Sequence, residues 1–272
     1  MEIITQPSVY MLAKTMIDPH HLNMMKRDFD LAALTSDENP GGLSSAEYLS
    51  EIAGRCCYWS FDKPRPGGNR AYVDRIKEQA HGSVLEHASF SLLFTGVSRT
   101  LTHELVRHRA GFSYSQLSQR YVDESECRFV LPVEIKKGSQ EFLNWCQSVK
   151  ASLDTYKELV DELSTGFLNE YEATLTTKAS YVPTELRKRA RQTARSVLPG
   201  CTETRIVATA NARAWRHFLE MRGSRFAEPE IRRLANVVLT MLQSDSPNIF
   251  RDYVTEPLPD GTYEITTSLR KV

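Results

Sequence analysis

Cysteine is scarce in this chain and net charge is absent, and each shortage excludes a class of function. The five cysteines (Cys56, Cys57, Cys127, Cys146 and Cys201) form no CxxC pair, which removes zinc ribbons and thioredoxin-type redox centres. Their odd number, in a chain of 272 residues, points to reduced thiols and a cytoplasmic protein. Lys+Arg and Asp+Glu both number 34, without the basic excess of a dedicated nucleic-acid binder. No apolar run approaches the ~20 residues of a membrane span, and the opening MEIITQPSVY has neither the charged nor the apolar region of a secretory signal. GxGxxG, Walker A and HExxH motifs are missing. His103 and His108 stand five apart, the wrong spacing for a helical metal pair, so no metal site is expected.

What is present is positive charge concentrated in one place. The stretch His103–Tyr121, HELVRHRAGFSYSQLSQRY, holds Arg107, His108, Arg109 and Arg120, and no acidic residue lies between Glu104 and Asp123. Ser113, Ser115, Ser118, Gln116 and Gln119 surround those charges with short-range hydrogen-bonding groups, a mixture suited to an anion such as phosphate. A solvated basic turn is the competing reading.

The chain reads as one α+β domain over 1–272, with a mixed or antiparallel sheet packed by long amphipathic helices. An N-terminal strand and extension occupies 1–43: a strand over 3–17, then a long connection punctuated by Asn39-Pro40-Gly41-Gly42. Ser44 and Glu47 make a capping box. The following helix places Leu49, Ile52, Ala53, Cys56 and Cys57 on one apolar face, which predicts buried cysteines. A short helix near 70–80, a turn at His81-Gly82-Ser83, a strand over 86–97 and a helix over 98–109 come next. Another strand is expected within Arg120–Pro132. The longest amphipathic helix spans 140–165, through Phe142, Val149, Leu153 and Tyr156, and reads as scaffold. The tail, 250–272, reads as a hairpin turning at Pro259-Asp260-Gly261.

Two later helices carry unusual charge. After Pro183, Arg187, Arg191 and Arg195 recur at every fourth position; Lys188 and Arg189 are the best candidates for a solvated face, and Arg195 for reaching inward. In NARAWRHFLEMR, residues 211–222, Asn211 is the expected N-cap. Trp215, Phe218 and Leu219 share one apolar arc with Arg222, while Arg213 and His217 lie on the polar face. A solvated His217 and a buried ion pair for Arg222 are the bland alternatives. Clusters of Arg, His, Ser, Gln and Asn at 81–87, 103–121 and 195–222 bind phosphates and heterocycles but do little covalent chemistry, which points to a cofactor.

Arg107-His108-Arg109 followed by Ser118 and Arg120 resembles the signature of the flavin-dependent thymidylate synthases. His81-Gly82-Ser83 with Glu86-His87, and Asn211–Arg222 preceded by Arg195, agree with it in the same order. The resemblance implies a homotetramer with active sites at subunit interfaces. It also implies FAD as cofactor, NADPH as reductant and methylenetetrahydrofolate as carbon donor in the reductive methylation of dUMP to dTMP. Ser83, Arg107, His108, Arg109, Gln116, Asn211, Ala212, Arg213 and His217 would then contact FAD. Glu104, Leu105, Val106, Arg107, Gln116, Leu117, Ser118, Gln119, Arg120 and Arg195 would contact the nucleotide. Arg222 would act at the pyrimidine, favouring ionisation at N3. Ser118 has no evident histidine base and is read as an orienting group. Eight residues, Ala110–Leu117, separate the RHR triplet from Ser118, one more than in the commoner signature. Methylation of UMP or another pyrimidine nucleotide, and a non-catalytic nucleotide- or RNA-binding protein, are the competing functions.

Overall fold

The computed structural model describes residues 1–31, 42–63, 66–174 and 182–270. Asn39-Pro40-Gly41 and Pro64, expected in loops, lie outside them. In chain order the elements are β1 (Ile3–Ile4), β2 (Ser8–Lys14), α1 (Pro19–Asp28), α2 (Ser45–Tyr58), α3 (Gly68–Glu78), β3 (Ser89–Ser98) and α4 (Arg99–Leu105). They continue as β4 (Phe112–Gln116), β5 (Phe129–Val130), α5 (Gln140–Thr174), α6 (Val182–Ala194), β6 (Glu203–Asn211), α7 (Ala212–Arg222), α8 (Pro229–Asp245), α9 (Pro247–Phe250), β7 (Val254–Pro257) and β8 (Tyr263–Thr266). The mixture of helix and antiparallel sheet agrees with the α+β expectation.

Contacts divide the chain into two compact units, each assembled from separate stretches. The first unit comprises Met1–Gln6, Thr95–Glu104 and Gln116–Ile206; the second comprises Pro7–Phe94, Leu105–Ser115 and Val207–Val272.

In the first unit, β1 pairs in parallel with β5, so the expected strand within Arg120–Pro132 exists but is two residues long. Phe129, Val149 and Leu153 form its core, with Trp145, Cys127 and Cys201 packed against them. Helix α5 runs to Thr174, beyond the expected end at 165. The α6 arginines diverge in role. Arg191 donates to Asp123 at 2.8 Å and to the Tyr121 carbonyl at 3.0 Å, which ties down the loop after Arg120. Lys188 lies over the Tyr121 ring and Arg189 over Phe167, so the face expected to be solvated has aromatic partners.

The second unit contains most of a four-stranded sheet of order β2-β3-β6-β4. Ala212 donates its N–H to the Ala88 carbonyl, and Ser91 and Thr209 hydrogen-bond side chain to side chain, so β3 and β6 run antiparallel. Alternation along β3 buries Phe90, Leu92 and Phe94. Trp215, Phe218 and Leu219 of α7 are fully buried, with Trp215 edge-on to Phe94, as the apolar arc predicts. Each such side chain contributes about 1.5–3 kcal/mol of burial.

Three expectations about the chain before α3 fail. The long strand over 3–17 is two strands, β1 and β2. The connection expected over 18–43 holds helix α1, because Asp18 caps the His20 and His21 amides and Pro19 starts the first turn. Cys56 and Cys57 are exposed. Helix α2 does start on the Ser44–Glu47 capping box, but it buries the face carrying Ala46, Glu47, Ser50, Glu51, Gly54 and Arg55. That polar stripe satisfies itself: Glu51 accepts from Arg55 at 2.7 Å and from Asn69 at 2.9 Å, and Glu47 accepts from the Asn248 amide at 2.6 Å. Small residues let the helix approach closely; a Cβ on Gly54 would lie 2.3 Å from the Tyr72 hydroxyl.

A buried charge network anchors α7. Arg216, fully buried, donates to both Asp252 oxygens at 2.8 Å and to the Ile249 and Leu269 carbonyls. Lys77 donates to Asp252 at 2.9 Å and to the Asn248 carbonyl at 2.8 Å. The hairpin β7–β8, in register Val254↔Thr266, forms as expected and packs beside this network. Asp252→Ala would strip buried Arg216 of its bidentate carboxylate and leave buried Lys77 with Asp74 alone, at 3.3 Å. We expect it to lower unfolding free energy by roughly 3–5 kcal/mol in urea titrations, with Lys150→Ala, at an exposed pair, changing it by under ~0.5 kcal/mol.

Candidate active site

Helix α7 organises the chemistry of the second unit. Asn211, in extended backbone, accepts from the Ala214 amide at 2.8 Å, so it is the expected N-cap. The loop after Arg107 folds down onto this end of the helix. Gly111 sits there at φ 77°, and a Cβ on it would lie 2.9 Å from the Ala214 Cβ and 3.2 Å from the Asn211 amide nitrogen. Only glycine permits that approach. The Tyr114 hydroxyl clamps the loop by donating to the Leu105 and His108 carbonyls at 2.9 and 3.0 Å. Burial pushes its ionisation upward, against the pull of the Arg222 charge, so the phenol stays a donor.

Beside this contact opens a cavity of about 490 Å³ lined by Glu86, Ala110, Gly111, Asn211, Arg213, Ala214 and His217. Arg213 pairs with Glu86 at 2.6 Å, both side chains partly exposed. Next to the cavity, His108 lies with its ring 5.7 Å from His217 and 5.6 Å from Phe218. Arg222 Nε donates to His108 Nε2 at 2.8 Å. Burial first, then the charges of Arg222 and His217, bring the His108 pKa down to about 4. The imidazole is therefore neutral near pH 7, and the bond it accepts puts its remaining proton on Nδ1. The two faces expected on α7 converge: Arg222 meets His108 from the apolar side and His217 meets it from the polar side.

The remaining residues of the implied flavin set are dispersed around this centre. Ser83 is exposed, lining a neighbouring cavity with His81, Tyr72 and Arg213. Arg107 and Arg109 are exposed, and Ala212 is buried with its amide engaged by Ala88. Of the implied nucleotide set, Val106 is exposed and Leu105 is fully buried, so Leu105 offers a ligand its backbone alone.

The first unit carries the rest of that set. Gln116 donates to Thr102 at 3.0 Å and to Thr204 at 3.3 Å, which fixes its amide. Ser118 is half-buried; its Oγ accepts the Arg120 amide at 3.4 Å, and its carbonyl caps a turn through Tyr121 and Val122. Arg120 Nε is buried without a hydrogen-bond partner, the kind of orphaned donor that an anion satisfies. Gln119 is buried, and Glu104 and Arg195 are half-buried. Arg99 joins them: it donates to the Leu117 carbonyl at 3.5 Å, and burial together with the Arg195 charge makes its protonated form less favourable than usual, against the attraction of Glu124.

A family model described as thymidylate synthase complementing protein matches residues 43–248. The chain belongs to that family. Two relatives, the flavin-dependent thymidylate synthases of Mycobacterium avium and Mycobacterium tuberculosis, are each 47% identical over 222 residues, 81% of this chain and 84% of the relative. Among solved structures, the UMP/dUMP methylase PolB from Streptomyces cacaoi bound with 5-Br UMP is similar in fold. Its TM-score is 0.58 at 20% identity, over 92% of this chain and 94% of that one. Residues 1–42 and 249–272 fall outside the family match.

Sequence reasoning missed Tyr114, Gly111 as a contact point, and Arg99. Gly111 had a signal, being a glycine where the RHR-to-serine spacing is one residue longer. Tyr114 and Arg99 had none beyond proximity to the basic stretch.

The depressed His108 pKa has a thermodynamic consequence. Between pH 6.5 and about 4 the unfolded chain binds a proton at this position that the folded protein refuses. The stability involved is present above 6.5 and is lost as pH falls toward 4. Thermal melts across that window should show His108→Asn losing roughly 1–2 kcal/mol less than the parent. Identical pH profiles would mean that His108 is not held neutral.

Proposed function

We propose that this protein catalyses the reductive methylation of dUMP to dTMP, with FAD as cofactor, methylenetetrahydrofolate as carbon donor and NADPH as reductant. The observation that carries the reading is the half-buried Arg222, held by a neutral imidazole beside a cavity lined by Arg213 and His217. Family membership and the 47% identity with flavin-dependent thymidylate synthases support the same reaction.

The residues fit a flavin nucleotide. The close approach of Gly111 to the head of α7 opens backbone to a ligand, and Arg213, His217, Asn211 and Ser83 offer cation, imidazole, amide and hydroxyl around the adjoining cavities. Arg107, His108, Arg109, Gln116 and the Ala212 backbone complete the proposed FAD set. Hydride transfer is the chemistry that bound FAD supplies.

The chain's own residues handle the nucleotide. Arg120, with its unsatisfied buried Nε, and Arg195 suit its phosphate. Glu104, Leu105, Val106, Arg107 and the run Gln116–Arg120 contact the remainder. Arg222 stabilises negative charge developing at N3, which enriches C5 in electron density for bond formation with the one-carbon unit. Its guanidinium cannot relieve burial by losing a proton, so the charge is permanent. His108 accepts from Nε and thereby aims the guanidinium without adding a competing positive charge. Ser118 orients substrate and is assigned no nucleophilic role; its Oγ accepts a backbone amide. The proposal includes a cytoplasmic homotetramer, and neither nucleic acid nor membrane enters as a partner.

Purified protein supplied with FAD should show an oxidised-flavin visible spectrum and convert dUMP to dTMP when both co-substrates are present. Arg222→Ala should keep its flavin while kcat/KM falls by roughly 10²–10³. Loss of flavin from that variant would contradict the pyrimidine role. Methylation of UMP at rates matching dUMP would move the substrate assignment.

A further inference from the structure

Beyond the cavity at Arg213 and His217, the second unit has two more hollows that continue it. The first, about 350 Å³, shares Arg213 with that cavity and is walled by Tyr58, Tyr72 and His81. The second, about 400 Å³, shares those three side chains and Ile76 with the first and ends at Arg55, Lys63 and Arg75. The three adjoin through shared lining residues, with cationic and imidazole groups at one end, tyrosines in the middle and cations at the other end.

The chemistry of the far end is one-sided. Among the described residues, no carboxylate lines either hollow. Arg55 is already neutralised by Glu51 at 2.7 Å and bonded to the Ser60 and Lys63 carbonyls, so it acts as a fixed wall. Its guanidinium lies 4.9 Å from the Tyr72 ring centroid, and Gly54 lets the Tyr72 hydroxyl approach α2, so that ring is held from two sides. Lys63 and Arg75 have no ion-pair partner among the described residues. Two uncompensated cations around a concave space attract an anion, and the tyrosines beside them suit a flat ring or an aryl linker.

We propose that Lys63 and Arg75 bind the anionic end of a co-substrate whose ring or linker lies against Tyr58 and Tyr72, beside the flavin. The inference rests on the proposed reaction, which needs two such molecules: a folate ending in glutamyl carboxylates and a nicotinamide dinucleotide bearing phosphates. Both present multiple negative charges at a distance from a reactive ring. Neither residue belongs to the flavin or nucleotide sets, and neither is catalytic. Their contribution is affinity for one co-substrate, with the chemical step unchanged.

The test compares the full-length parent, loaded with FAD, with the double variant Lys63→Gln, Arg75→Gln. KM is measured for NADPH and for methylenetetrahydrofolate carrying one or several glutamates. The expected result is a rise of roughly tenfold in one of these KM values, the loss that one charge-assisted bond worth about 1.4 kcal/mol would give. Flavin content and kcat at saturation should match the parent. A rise for NADPH alone identifies the phosphates as the anion, and a rise confined to polyglutamylated folate identifies the carboxylates. KM values within twofold of the parent for every co-substrate would overturn the site. Direct titration with oligoglutamate and with adenosine 2′,5′-bisphosphate gives a readout independent of turnover. Weaker binding of either probe by the double variant supports the site even if the parent proves inactive, which would refute the proposed reaction alone. Equal binding by both proteins, or none, overturns it.

Discussion

The Asp252 carboxylate, lodged between Arg216 and Lys77, is the interaction on which the second unit depends. Arg216 holds it with two parallel bonds, and that cation, followed by Lys77, keeps its pKa at about 2 in spite of burial. A buried pair of this kind adds little over a well-packed apolar one, but losing a single partner is expensive. What the network provides is position. Through the carbonyls of Asn248, Ile249 and Leu269 it binds α3, α7, α9 and the end of the chain to one point.

Position matters because the groups proposed to meet ligands lie along most of α7. At its head, Gly111 lies against Ala214 and Asn211 with no room for a side chain. At its foot, Gly223 follows Arg222 directly, and a Cβ there would lie 2.5 Å from the Ile265 Cβ. The hairpin thus sets where the helix stops, with the Ile265 amide donating to the Gly223 carbonyl and Arg225 paired to Glu264. Between these ends, Arg213 and His217 line the cavity, while Arg222, on the opposite face, bonds His108. Neutral His108 fills the gap between His217 and Arg222. Its low pKa follows from burial next to a permanent cation, and the same cation takes its lone pair as an acceptor.

Much of this was readable in the residues before any coordinates. The Ser44–Glu47 box, the Asn211 cap, the apolar arc of α7 and the Pro259-Asp260-Gly261 turn are local signals, and each appears where local rules put it. The failures over which residues are buried share one cause. Periodicity assigns burial to apolar stripes, whereas α2 buries charged residues whose partners, Asn69 and Asn248, lie far along the chain. In α7 the arginine chosen as costly to bury was Arg222, but the fully buried one is Arg216, made tolerable by Asp252 thirty-six residues later. Arg213 meets Glu86 across 127 residues. No sequence window contains such pairs, so a polar residue's burial stays illegible until the fold supplies its partner.

The central claim is that one helix serves two ligands, the flavin at Arg213 and His217 and the pyrimidine at Arg222, with His108 between them. A crystal structure of the protein with FAD and dUMP bound tests it most directly. The account predicts flavin in the cavity formed by Glu86, Gly111, Arg213 and His217, and the pyrimidine edge bearing N3 within hydrogen-bond distance of the Arg222 guanidinium, still bonded to His108. Flavin bound away from that cavity, or a pyrimidine with no contact to Arg222, would contradict it.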